Sequence, residues 1–136
     1  DALTEYLPEA DIDTYVTIGS PLGQKYVINK YQFEIEQNLK NKLVVPEQII
    51  NKWYNLFDKE DQVALNHQLT NLYKINSRKV NIEDQIVNNL FTSGGVRNPH
   101  KSYGYLRTPE FSKIINNFLL EKPTGIFGWI RKIFGK

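Results

Sequence analysis

Two rhythms of apolar and polar positions run along this chain, and each predicts an element. Phe111, Ile114, Ile115, Phe118 and Leu119 recur at the three-one-three-one spacing of a helix with one buried face. Thr108-Pro109-Glu110 supplies its start: a capping hydroxyl, a proline at the first helical position, then an acid near the positive helix end. Pro123 ends it. Tyr15-Val16-Thr17-Ile18 is β-rich and stops at Gly19-Ser20-Pro21, which predicts a buried strand running into a turn and entered through a polar loop at Asp11 and Asp13. Residues 49–57, dense in β-branched and aromatic side chains, predict a second strand that ends in the acidic loop Asp58-Lys59-Glu60-Asp61. A further short strand is expected between Val80 and Leu90. From Gln24 to Leu43 the spacing of Val27, Tyr31, Ile35 and Leu39 suggests a helix face. Tyr31, Phe33 and Ile35 also alternate as a strand would, so both readings stand there. Pro46 breaks the pattern, and residues 92–99 form a loop rich in turn formers.

Strand, helix, strand, strand, helix predicts an α/β fold: a partial, mostly parallel sheet with flanking helices. Functional groups in such sheets collect in loops beyond the carboxyl ends of the strands. Asp61 and His100 both follow apparent strands in this way.

Composition narrows the picture. A chain of 136 residues suits one domain, and 40% apolar with 24% charged residues is a globular balance. A net charge of +2, with no basic stripe interleaved with aromatics, gives no reason to expect a nucleic-acid partner. The lack of cysteine removes disulfides and thiolate metal sites, and two histidines give little support for a metal; no cofactor is expected. Gly94-Gly95 is too short for a phosphate loop. No apolar run approaches the ~20 residues that span a bilayer. With no methionine and no leader, Asp1 reads as a cut or processing point within a longer, cytoplasmic protein. Residues 1–122 would be the folded part. Residues 123–136 form a separate amphipathic tail in which Ile126, Phe127, Trp129, Ile130, Ile133 and Phe134 lie largely on one side with cations at the flanks. Such a tail suits either a membrane surface or packing on another part of the protein.

A serine hydroxyl becomes a useful nucleophile when a histidine removes its proton and a carboxylate orients that histidine. The demand is spatial, so distance along the chain is no objection. Three segments resemble the C-terminal part of α/β-hydrolase-fold serine esterases and lipases. Residues 16–23 are similar to the strand and turn after the nucleophile's helix. Residues 53–64 resemble the segment that ends in the triad acid, with Gln62 where proline is common. Asn98-Pro99-His100-Lys101-Ser102-Tyr103 resembles the histidine segment, with Lys101 interrupting the usual His-Ser pair. The resemblance spans roughly residues 12–120, in the acid-before-histidine order of the family.

It implies that the chain is the C-terminal half of such a fold, with Asp61 as triad acid and His100 as general base. The nucleophile's G-x-S-x-G elbow has no counterpart here, so the serine and the oxyanion hole are expected upstream, in an N-terminal half that would be this chain's partner. By itself the chain would be inactive; the whole protein would hydrolyse a carboxylic ester of a small molecule or lipid. Asp58, Glu60 and the more distant Asp84 compete for the acid's role. Ser20 reads as a turn hydroxyl, His67 as a surface residue and Trp53 as core. The same fold also hosts non-catalytic binding modules, and the tail allows a membrane-surface protein; both are alternatives.

Overall fold

The computed structural model describes residue 3 and residues 6–34, 43–64 and 68–121. His67, Ile35, Leu39 and the tail at residues 123–136 lie outside the described residues.

Three strands form the main sheet: β1 (Ile12–Ile18), β3 (Ile49–Phe57) and β5 (Ile82–Ile86), all parallel and in chain order with β3 at the centre. Between β1 and β3 come a 3-10 turn and helix α1 (Lys25–Glu34), then the two-residue β2 (Leu43–Val44). Between β3 and β5 lie two 3-10 turns and β4 (Tyr73–Lys74), which pairs with β2 in a small parallel ribbon. The chain finishes with a hairpin of β6 (Thr92–Ser93) and β7 (Val96–Arg97), the short helix α2 (Ser102–Tyr105) and helix α3 (Pro109–Glu121).

Alternate side chains of a strand point to opposite faces, so a central strand covered on both sides reads as a continuous apolar run. β3 does this. Ile49 and Trp53 enter one cluster with Leu43, Val45, Leu69, Tyr73, Val80 and Ile82, against which Ile28 and Tyr31 of α1 pack. Tyr54 and Leu56 enter the other with Val87, Tyr105 and Ile114 of α3. Trp53 is core, as expected, with Tyr15 and Tyr73 edge-on to its ring at 5.4 Å.

Several expectations change. β1 begins earlier than its apolar run, so Asp13 sits inside the strand, at an irregularity in the register between Ile12 and Thr14. The stretch from Lys25 to Glu34 is helix, because Ile28 and Tyr31 find the core on one side. Residues 92–97 are a hairpin turned by Gly94-Gly95, a pairing signal stronger than a generic loop. Helix α3 starts where predicted, with Phe111 N–H donating to Thr108 Oγ1 at 3.3 Å, but of its apolar stripe Ile114 is buried and Phe111 half-buried. Leu119 and Leu120 are 67% and 71% exposed, with Ile115 and Phe118 exposed too. No helix among the described residues is long and apolar enough to cross a membrane.

Because the three strands are parallel, their carboxyl ends open at one rim. Gly19 N–H extends the ladder to Leu56 O at 2.9 Å, and Val87 N–H extends it to Phe57 O at 2.9 Å. The segments that leave this rim are Gly19–Ser20, Asp58–Asp61 and residues 87–101.

Candidate active site

Asp61 and His100 meet at that rim. The imidazole Nδ1 lies 3.1 Å from each carboxylate oxygen of Asp61. A carboxylate only accepts, so Nδ1 carries the proton and donates it to the pair of oxygens. The Asp61 side chain is 0% exposed whereas the imidazole is 53% exposed. Thus the carboxylate is held inside and the imidazole stands half in solvent. Among the described residues the other ring nitrogen, Nε2, has no hydrogen-bond partner.

A buried carboxylate costs several kcal/mol unless its lone pairs are met. Here they are. Asp61 Oδ1 accepts from Val63 N–H at 2.9 Å, and Oδ2 accepts from the Tyr105 hydroxyl at 2.7 Å. The same hydroxyl accepts from Asp58 N–H at 3.1 Å, so one phenol ties the start of the acidic loop to its end. Tyr105 is itself buried at 1% exposure. Burial first, then the hydrogen bond to Asp61, pushes its pKa well above the usual phenol value.

Gly19 makes room for this arrangement. A Cβ there would stand 2.7 Å from Asp61 Oδ2 and 2.9 Å from Tyr105 Cε2, and the backbone has φ +51°. Both facts call for glycine.

The rival acids have other work. Asp58, buried, accepts from Glu60 N–H at 2.9 Å, Asn89 N–H at 2.6 Å and Arg97 Nη2 at 2.7 Å. Glu60 is exposed and pairs with the same guanidinium. Asp84 is the end of a polar rung across the sheet: Thr17 Oγ1 donates to Asn55 Oδ1 at 2.9 Å, and Asn55 Nδ2 donates to Asp84 Oδ1 at 2.8 Å. Its oxygens also accept from Leu69 N–H, Thr70 N–H and the Thr70 hydroxyl, anchoring a 3-10 turn. Ser20 accepts from Leu22 N–H at 3.3 Å, the turn role its proline neighbour suggested.

Sequence reading missed Gly19's packing role, Tyr105 and Asn89, and it weighed Asp58 only as a rival acid, not as the partner of Arg97 and Asn89. The tyrosine it associated with the histidine, Tyr103, is 60% exposed against Phe91, while Tyr105 reaches the acid. Two residues, about half a helical turn, separate a solvent-facing position from a core-facing one, and nothing in the local sequence Ser-Tyr-Gly-Tyr says which is which. No group of three or more His, Asp or Glu side chains among the described residues could hold a metal ion. Compared with protein-family models, curated proteins and solved structures, the chain matches none.

Proposed function

We propose that this chain supplies the acid and the base of a serine hydrolase triad, as the C-terminal half of an α/β-hydrolase-like esterase or lipase. The observation that carries the reading is the buried, fully hydrogen-bonded Asp61 aimed at Nδ1 of a half-exposed His100. Its setting supports the same reading: the acid follows β3, the histidine follows β5, and the two parallel strands are neighbours.

In the proposed reaction Nε2 removes the proton of a serine hydroxyl as its oxygen attacks an ester carbonyl. Asp61 keeps the proton on Nδ1, leaving Nε2 with its lone pair free, and offsets the positive charge that the ring gains. The ring then returns the proton to the leaving alcohol. Water repeats the cycle to release the acid from the acyl-enzyme. The serine and the oxyanion-hole donors belong, in this proposal, to residues that precede Asp1. A preceding half would also cover the exposed apolar side chains of α3 and the outer edge of β1, surfaces for which a partner is the ordinary explanation.

Labelling the longer protein with a serine-directed fluorophosphonate tests the proposal. Labelling should be strong in the parent and fall by about two orders of magnitude or more in His100→Ala and Asp61→Ala, in line with loss of a triad member. Unchanged labelling in both variants refutes the assignment.

A further inference from the structure

Nothing so far explains what holds the His100 backbone where its ring can meet Asp61. The segment that carries it, residues 98–101, is exposed for most of its length, and His100 N–H has only the Asn98 side chain, at 3.2 Å. A loop of that kind would let the ring swing away. Beneath it lies Asn89, which is 0% exposed.

Every polar atom of the Asn89 side chain is used. Its amide nitrogen Nδ2 donates to Pro99 O at 2.7 Å and to Lys101 O at 2.9 Å, the carbonyls on either side of His100. Its Oδ1 accepts from Phe91 N–H at 3.1 Å. The orientation of the carboxamide is fixed by these partners: reversed, it would aim an oxygen at two carbonyls and an NH2 at an N–H. Only a primary amide carries two donors on one planar nitrogen together with an acceptor, so aspartate, serine or leucine cannot reproduce the set. Asn89 is also joined to the acid's loop, since its backbone N–H donates to Asp58 Oδ2 at 2.6 Å. Asp61 N–H in turn donates to Asp58 O at 3.1 Å. Gly104 completes the device: a Cβ there would fall 1.6 Å from Asn89 Oδ1.

We infer that Asn89 is the positioning residue of the pair, a buried amide clamp that registers the His100 backbone against the Asp61 loop. The inference rests on reading Asp61 and His100 as a working pair, but its test needs no hydrolase activity. The readout is the tautomer of neutral His100, taken from its imidazole nitrogen shifts by NMR. Held against Asp61, the ring keeps its proton on Nδ1; released into water, it favours Nε2–H.

The parent should show the Nδ1–H signature. Asn89→Ala, with a retained folded backbone spectrum, should lose it in favour of mixed or Nε2–H signals. Gly104→Ala, which evicts Oδ1, should do the same. A folded Asn89→Ala or Gly104→Ala that keeps the parental signature overturns the inference. Should neither variant fold, the parent decides the matter. Both Asn89 side-chain amide protons should show through-hydrogen-bond couplings to the Pro99 and Lys101 carbonyl carbons and exchange slowly beside those of exposed Asn116. Absent couplings with ordinary exchange overturn it. A clamp confirmed in this way without fluorophosphonate labelling would remove the hydrolase reading and leave the clamp; labelling with an unaltered tautomer in the variants would do the reverse.

Discussion

Replacing Tyr105 by phenylalanine removes one oxygen from the centre of the site and keeps the ring that fills the space. That oxygen makes two buried hydrogen bonds, to Asp61 Oδ2 at 2.7 Å and from Asp58 N–H at 3.1 Å. The first is a bond to a charged group, a class worth about 1.5–3 kcal/mol. Losing the second strands a buried backbone N–H, at about 1–3 kcal/mol. His100 Nδ1 and Val63 N–H still reach Asp61, which limits the loss on that side. The expected destabilisation is therefore about 3 kcal/mol, a large share of the roughly 5–15 kcal/mol that holds a domain folded. Urea unfolding followed by tryptophan fluorescence reads it directly: with a slope of about 1.5 kcal/mol per molar, the midpoint should fall by about 2 M. Tyr103→Phe is the control, since that tyrosine is 60% exposed, and its midpoint should move by no more than about 0.5 kcal/mol equivalent. If Tyr105→Phe costs no more than Tyr103→Phe, the phenol does not hold the acidic loop and the cradle built around Asp61 is wrong.

Two further outcomes follow from the same hydrogen-bond geometry and burial. Burial raises the pKa of Tyr105 and of Tyr73 above the phenol value of 10.0, so in each case the folded state favours the neutral form. A raised folded pKa leaves stability whole below the unfolded value and lost as pH climbs from there toward the folded one. Stability measured by denaturant should thus decline above about pH 10, and Tyr105→Phe or Tyr73→Phe should each flatten part of that decline; an unchanged slope in both would contradict the burial. Asp84→Asn turns an oxygen that accepts N–H and O–H bonds into a donor facing donors, at a cost of about 2–3 kcal/mol in urea unfolding, while the His100 tautomer stays parental. A changed tautomer with little loss of stability would instead make Asp84 part of the pair.

Elements whose evidence is local were legible in the chain. The second strand was read at the bounds it has, Ile49–Phe57, because a central strand packed on both faces is dense in β-branched and aromatic side chains, Asn55 being the polar exception in its buried part. The start of α3 was legible because hydroxyl, proline and acid act within a single turn. The acidic loop after β3 and the histidine after β5 could be named as facing candidates, since parallel strands deliver their carboxyl ends to one rim. The extent of β1, the pairing of β2 with β4, and the exposure of α3's apolar stripe were not legible, because each depends on what lies alongside rather than on the residues themselves.

The sequence by itself determined which residue types were on offer: three acids within four positions, one histidine in a loop, strands of the right length in the right order. Only tertiary structure chose among them. Asp61 takes His100 because Gly19 clears the space beside its carboxylate, while Tyr105 and Val63 N–H satisfy its oxygens. Asp58, three residues earlier, is spent on Arg97 and Asn89. Burial and hydrogen-bond satisfaction are properties of neighbours brought from far along the chain, and no window of local sequence contains them.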